Sequence, residues 1–184
     1  MAMAASQPRK PRPPLDAAKL DELALGYVGR FATSRAKLLA YLKRKLRERG
    51  WGGDSEPQLD GLADRLVRLG YVDDRAYALS KARSLTGRGY GERRVSQALH
   101  IAGIGNEEAS DARDLAEAGA VESALHFARR RSLGPFAAES PDPRRRERAL
   151  AAMIRAGHSF GLARAIIDLN PGDFPDVEEL LKVR

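Results

Sequence analysis

The chain has 184 residues, 43% of them hydrophobic, and its 32 Lys and Arg outnumber 25 Asp and Glu, giving a formal net charge of +7. The absence of cysteine excludes disulfides and thiolate metal sites and is consistent with a reducing, cytoplasmic compartment. No apolar stretch approaches the ~20 residues of a membrane span, and three scattered histidines do not suggest a zinc site, so neither a membrane nor a metal is expected.

Residues 1–14 are predicted to be a disordered basic tail. They include the segment SQPRKPRPP, which is basic and rich in proline but is followed by no apolar region, so it does not resemble a secretory signal. After Pro14, apolar residues fall at helical spacing almost everywhere, and the alternation typical of strands is absent. The sequence therefore predicts an all-α fold.

The first three predicted helices follow one another directly. The first begins after Asp16 as its N-cap and ends before Ser34, which caps the second. The second ends at Gly50, because glycine most easily adopts the left-handed conformation found after helices. Residues 55–58 have the spacing of a capping box and open a third helix, which Gly70 closes. The second helix carries a leucine stripe, Leu38, Leu39, Leu42 and Leu46.

The next three predicted helices have the same kinds of boundary. Asp73 or Asp74 caps the fourth helix, and the paired carboxylates are interpreted as caps rather than as an acid/base or metal site. A glycine-rich break that includes Gly91 precedes the fifth helix, and Asn106 caps the sixth.

The three-helix pattern recurs along the chain. A glycine closes the second helix of each set at a near-constant interval of about 53 residues, at Gly50, Gly103 and Gly157. An Ala-Leu step recurs in the first helices, beginning at Ala24, Ala78 and Ala124. Each set is too small to bury its own apolar face, so we expect three tandem three-helix repeats that form an elongated, curved array.

The predicted repeats cover residues 15–70, 71–116 and 117–169. The third repeat contains a loop at 132–144 that is rich in Pro, Gly and Ser. Residues 170–184 form an acidic C-terminal tail, with one or two helical turns near its end.

The second helix is the first candidate binding surface, because it carries seven bases and one acid. At 100° per residue, Lys37, Arg44 and Arg47 project opposite the leucine stripe, and Lys43 flanks it. A solvated helix face normally mixes charges to gain ion pairs four residues apart. We therefore favour a phosphate- or carboxylate-facing role over a solvated face.

A second candidate surface is formed by Arg88, Arg93 and Arg94 at the start of the fifth helix. Free backbone N–H groups and guanidinium forks at one place suit an anion. Arginines that point into water are the equally simple alternative.

Several segments resemble the signature of the RecX family. The first is residues 69–78, which read LGYVDDRAYA, followed by RGYG at 88–91 and AGI at 102–104. RFATSR at 30–35 and RAGHS at 155–159 are similar to the family's first and last breaks between helices. Val72 stands where the family usually has leucine or isoleucine.

The resemblance implies a cytoplasmic, non-enzymatic regulator made of three helical repeats. Such a protein would bind the RecA recombinase filament on single-stranded DNA, with contacts to single-stranded or duplex DNA, and would mainly inhibit the filament. We expect a monomer that needs no cofactor. The sequence contains no catalytic triad, no phosphate-binding Gly-Lys-Ser/Thr loop and no HExxH motif.

Two alternatives belong to other functional classes. The segment 91–114 has the spacing of a helix-turn-helix with Gly103 in its turn, which would indicate a sequence-reading or general nucleic-acid-binding regulator. Its second helix is mostly acidic, a poor charge balance for a major groove. The other alternative is a scaffold that binds only protein.

Overall fold

The computed structural model describes residues 13–183, and the secondary-structure elements within this range are all helices, as predicted. The predicted tail lies outside this range except for Pro13 and Pro14. The chain divides into two compact units, the first ending at Val72 and the second beginning at Asp73.

The first unit contains helices α1 (Ala17–Val28), α2 (Arg35–Arg49) and α3 (Leu59–Arg68). The Asp16 carboxylate accepts a hydrogen bond from the Lys19 backbone N–H at 2.8 Å, and the Ser34 hydroxyl accepts one from the Lys37 N–H at 3.2 Å. Both predicted N-caps are therefore confirmed. The buried core draws on all three helices and consists of Leu15, Leu20, Ala24, Leu38, Leu39, Leu42, Leu59, Leu62, Ala63, Leu66 and Val72.

The second unit begins with α4 (Asp74–Thr86), α5 (Glu92–Ile101) and α6 (Ser110–Ala118). The Asp73 carboxylate caps α4 by accepting a hydrogen bond from the Ala76 N–H at 2.8 Å, which confirms its capping role. These helices share one cluster of buried side chains, Ala78, Ala82, Leu85, Val95, Leu99, Ala102, Ile104, Ala109, Ala112 and Ala116.

The rest of the second unit contains α7 (Ala120–Arg130), α8 (Pro143–Arg155), α9 (Phe160–Ile167) and the short α10 (Val177–Lys182). Within the predicted loop at 132–144, Gly134–Phe136 form a 3-10 helix, and Gly134 and Pro135 are buried. A third core cluster joins these helices through residues such as Phe127, Met153, Ile166 and Leu180.

Two features support the predicted repeat. Ala24, Ala78 and Ala124, at matching places in α1, α4 and α7, are all fully buried. The closing glycines all have positive φ, which favours glycine, with values of 76° at Gly50, 69° at Gly103 and 98° at Gly157. Three core clusters along the chain are consistent with tandem three-helix repeats. The repeat boundaries stay a prediction.

Two predicted N-caps are wrong. Ser55 does not open α3, which starts at Leu59 without a side-chain cap. The Ser55 carbonyl accepts a hydrogen bond from the Trp51 indole at 2.6 Å. Asn106 does not cap α6, which starts four residues later. Its side-chain oxygen accepts a hydrogen bond from Arg113 at 3.0 Å.

Candidate partner-binding surfaces

The outward side of α2 carries four exposed cations, Lys37, Lys43, Arg44 and Arg47, which we call the α2 basic face. The opposite side of the helix carries Leu38 and Leu42, which are fully buried in the core of the first unit. The leucine stripe therefore fixes the rotation of the helix, and that rotation directs the cations to solvent. This confirms the predicted orientation of the four side chains.

The expectation that α2 forgoes ion pairs is wrong in part. Arg35 donates to Asp64 at 2.7 Å and to Asp60 at 3.1 Å, which ties α2 to α3. On α2 itself, Lys45 lies 2.7 Å from Glu48. Three cations of the α2 basic face have a weak ion pair or none. Arg44 lies 3.8 Å from Glu48, and neither Lys43 nor Arg47 forms an ion pair with a residue of the described chain.

The α2 basic face lies beside an aromatic stack that the sequence analysis did not identify. The ring of Tyr27 on α1 stacks on the ring of Tyr41 on α2, with centroids 4.1 Å apart and planes inclined by 11°. Phe31 extends the row and is 56% exposed. Lys37 and Arg44 border a shallow groove with the two tyrosines, and the Arg44 guanidinium lies 5.6 Å from the Tyr41 ring centre. Tyr41 lies on the same side of α2 as Lys37 and Arg44. Helical spacing in the sequence could therefore have identified Tyr41 as part of this surface.

The second candidate set, in the second unit, lacks two of the free backbone N–H groups on which the predicted anion site depends. The Gly91 and Arg93 backbone N–H groups are not free, because they donate to the carbonyls of Ala156 and Gly157 at 3.0 and 3.2 Å. Arg93 borders a cavity of about 250 Å³ together with the carboxyl side chains of Glu92 and Glu117, which disfavour an anion.

The three arginines of this set also have different surroundings. Arg94 donates to the Gln97 side chain at 2.8 Å on its own helix. The Arg88 guanidinium instead lies 5.3 Å from the ring centre of Tyr90. Arg88 is therefore the member of the set whose environment best suits a partner anion.

Comparison with known proteins identifies the family. The chain is 35% identical over 175 residues to the regulatory protein RecX of Myxococcus xanthus, covering 89% of this chain and 91% of that protein. It is 30% identical over 140 residues to the regulatory protein RecX of Agrobacterium fabrum, covering 74% of each. The chain belongs to the RecX family. No protein-family model matches the chain.

Solved RecX structures share the fold. The crystal structure of RecX from Lactobacillus salivarius superposes with a TM-score of 0.58 at 22% sequence identity, covering 82% of this chain and 94% of that one. A second RecX crystal structure gives a TM-score of 0.56 at the same identity. The all-helical fold of this chain is therefore the fold of the RecX structures.

The RecX-like segment at 69–78 has a structural role in this chain. Gly70 has a φ of 76°, and Asp73 caps α4 as described above. Arg75 makes two hydrogen bonds to the Asp111 carboxylate, at 2.7 and 2.9 Å, and so joins α4 to α6. This guanidinium lowers the pKa of Asp111 below its usual value. Tyr71 of the same segment is 57% exposed.

Neither a metal centre nor a membrane span is found in the described part of this RecX family member. Over residues 13–183, His, Asp and Glu side chains do not gather in groups of three or more that could hold a metal ion. None of the helices in that range combines the length and the apolar character needed to cross a bilayer.

His158 makes a buried polar contact beside the Arg93 cavity. Its side chain lies 3.1 Å from the Gly89 carbonyl through Nε2, which therefore carries the proton, and its ring packs edge-on against Phe127. The residue is 2% exposed, and Nδ1 has no hydrogen-bond partner in the described structure. Burial lowers the pKa of His158 below 6.5, opposed by the Gly89 hydrogen bond.

We expect the stability of this RecX family member to fall as the pH decreases below 6.5. Below this pH, His158 binds a proton more readily in the unfolded chain than in the folded chain, where it is buried. The contribution of His158 to stability is therefore intact above pH 6.5 and declines as the pH falls towards the lower pKa of the folded chain. The slope from one such proton is at most about 1.4 kcal/mol per pH unit. Urea unfolding of the wild type and of His158→Gln at several pH values measures how the free energy of unfolding depends on pH. Equal slopes in the two proteins would contradict this assignment.

Proposed function

We propose that this RecX family member regulates the RecA recombinase by binding its filament on single-stranded DNA, and that it mainly inhibits the filament. It acts in the cytoplasm, as a monomer and without catalysis. Membership of a family of regulatory proteins supports this function. The observation that carries the proposal is the α2 basic face, with its cations beside the Tyr27–Tyr41 stack.

The geometry of α2 suits an extended anionic partner. The helix is held on one side by its buried leucines and by the Arg35 ion pairs to α3, so the cations project from a fixed support. Because the backbone that carries these cations is already ordered, binding does not have to order it. A filament on single-stranded DNA offers phosphates and protein carboxylates along one groove, and several cations together attract both.

Inhibition follows from occupying that groove. A protein that contacts more than one recombinase protomer and the DNA between them would restrain strand exchange. It would also restrain filament-stimulated repressor cleavage, because both need access to the filament. No bond needs to form or break in such a mechanism, so binding free energy alone accounts for the effect.

The helix-turn-helix alternative is less well supported. In the segment that would read DNA, α6 carries Asp111, Asp114 and Glu117 against a single base, Arg113. Arg113 is also hydrogen-bonded to Asn106, and Asp111 is paired with Arg75. A helix with this charge would be repelled by the phosphates that border a major groove.

The proposal is tested by fluorescence anisotropy with a labelled single strand, alone and loaded with recombinase and a non-hydrolysed nucleotide. We expect the chain to bind the filament more tightly than the bare strand and to slow strand exchange at matching concentrations. An operator-like duplex serves as the control for sequence reading. Equal affinity for filament and bare strand, with strand exchange unaffected, would contradict the proposal.

A further inference from the structure

The second unit carries a group of exposed arginines in which one member is distant in the sequence from three consecutive ones. We call Arg88, Arg129, Arg130 and Arg131 the arginine cluster. Arg130 on α7 donates a hydrogen bond at 2.8 Å to the backbone carbonyl of Arg88, which precedes α5. This contact joins two segments separated by 42 residues. Two of the cluster's positions are therefore fixed relative to each other.

Close backbone packing holds the Arg88 segment against α7. Gly89 has a φ of +83°, and a Cβ atom at this position would lie 2.9 Å from the Phe127 backbone nitrogen. The Gly89 carbonyl also contacts His158, as described above. A larger residue would separate the two segments, so Gly89 permits the close approach that assembles the cluster.

Three of the four guanidinium groups lie over aromatic rings. The distances from the guanidinium carbon to the ring centre are 5.3 Å for Arg88 over Tyr90, 4.8 Å for Arg129 over Phe136 and 5.4 Å for Arg131 over Phe127. These are cation–π contacts, and they restrict the side chains without neutralising their charge. A guanidinium placed over a ring still has N–H groups available for a planar anion.

The arginine cluster differs from three other exposed arginines of the second unit, Arg75, Arg145 and Arg164, in having no acidic partner. Arg75 pairs with Asp111 at 2.7 Å, Arg145 with Glu139 at 3.2 Å and Arg164 with Asp168 at 3.4 Å. No member of the cluster forms an ion pair with any residue from 13 to 183. Positive charges that no acidic side chain of the described chain compensates remain available to attract an anion from outside.

We propose that the arginine cluster is a second binding surface, which takes the phosphodiester backbone of nucleic acid without reading its sequence. The surface is distinct from the α2 basic face and needs no recombinase, so it goes beyond the function proposed above. A phosphodiester chain repeats its negative charge at short intervals, which matches several guanidinium groups on one surface. Because arginines cover one face of each ring, base stacking on those faces is not available, and a base preference is not expected.

The test uses the full-length chain, without recombinase, and two fluorescein-labelled probes, an oligo(dT) strand and a mixed-sequence duplex of equal length. The variant Arg88→Gln, Arg129→Gln, Arg131→Gln keeps Arg130 and its bond to the Arg88 backbone. We expect its affinity to fall about tenfold or more at low salt. We also expect the slope of log K against log salt to lose roughly 2 units, because three phosphate contacts are removed.

A matched control separates the cluster from net charge. The variant Arg75→Gln, Arg145→Gln, Arg164→Gln removes the same number of charges from the same unit, but from arginines that already have acidic partners. We expect it to bind both probes like the wild type. Equal losses in the two variants would show a net-charge effect and overturn the proposal, as would wild-type binding by the cluster variant.

A third variant decides the question if the glutamine variant does not fold. Replacing Arg88, Arg129 and Arg131 by lysine preserves the charge but removes the planar guanidinium groups. We expect weaker binding than that of the wild type with an unchanged salt slope, and wild-type affinity would overturn the role of the guanidinium groups. Because the assay contains no recombinase, its outcome is independent of filament regulation.

Discussion

Changing Lys37, Arg44 and Arg47 together to glutamate is expected to abolish binding to the recombinase filament. The three side chains lie on the exposed side of α2, so charge reversal converts attraction to an anionic groove into repulsion. The buried Leu38 and Leu42 are untouched, so the helix should keep its place in the first unit. Filament binding by anisotropy and recombinase ATPase activity measure the loss, and circular dichroism checks the fold.

The control for this variant changes Arg83, Arg144 and Arg155 to glutamate. These arginines of the second unit are exposed and form no ion pair within the described residues, so the control alters net charge by the same amount. We expect it to keep most of its filament binding. If the α2 variant folded correctly and still inhibited the ATPase like the wild type, the α2 basic face would not be the binding surface.

The same α2 variant identifies what the face touches. Binding of the wild type should weaken steeply with salt, with a log–log slope of roughly −0.7 for each phosphate contact on a single strand. Contacts to acidic protein groups are also screened by salt, so the slope alone does not separate the two. Loss of binding on the filament but not on bare single strand would indicate protein contacts, whereas loss on both would indicate phosphates.

The sequence predicted the helices well where the signal is local. The leucine stripe of α2 and the caps at Asp16, Ser34 and Asp73 depend on residues within one or two turns, and the structure confirms them. The cap predicted at Ser55 is wrong, because α3 begins only at Leu59. The contact of the Trp51 indole with the Ser55 carbonyl comes from outside the motif, and a capping pattern does not reveal it.

The candidate surfaces were predictable only in part, because some of their contacts join residues that are distant in the sequence. The direction of the cations on α2 follows from helical periodicity, and the sequence predicted it. The stacking of Tyr27 on Tyr41 joins two helices, and the contact of Arg130 with Arg88 spans 42 residues. Such contacts depend on how helices pack, so the sequence does not indicate that arginines 129–131 lie near Arg88.

Gly157 is expected to be far less tolerant of substitution than Gly50, although the two close equivalent helices of the repeat. Both have positive φ, 98° and 76°, where an added side chain is strained. Their surroundings differ. A Cβ atom at Gly157 would lie 2.5 Å from the Arg94 backbone nitrogen, whereas nothing lies within 4 Å of a Cβ atom at Gly50.

The contact at Gly157 fixes the start of α5 against the end of α8. The Gly157 carbonyl accepts a hydrogen bond from the Arg93 N–H at 3.2 Å, and the Ala156 carbonyl accepts one from the Gly91 N–H at 3.0 Å. A Cβ atom at Gly91 would in turn collide with the Gly157 carbonyl. Because both sides of the contact are backbone, the strain of an added methyl group cannot be relieved by rotating a side chain.

Gly157→Ala should therefore destabilise the chain by on the order of 3 kcal/mol or more, from backbone strain and overpacking together. Gly50→Ala serves as the control and should cost less, on the order of 2 kcal/mol, because it carries backbone strain without overpacking. For a chain of this size the expected decreases in Tm are roughly 10 °C and 5 °C, which calorimetry can resolve. If the two variants had the same Tm, the close backbone packing of α5 on α8 would not make Gly157 less tolerant of substitution than Gly50, and the prediction would be wrong.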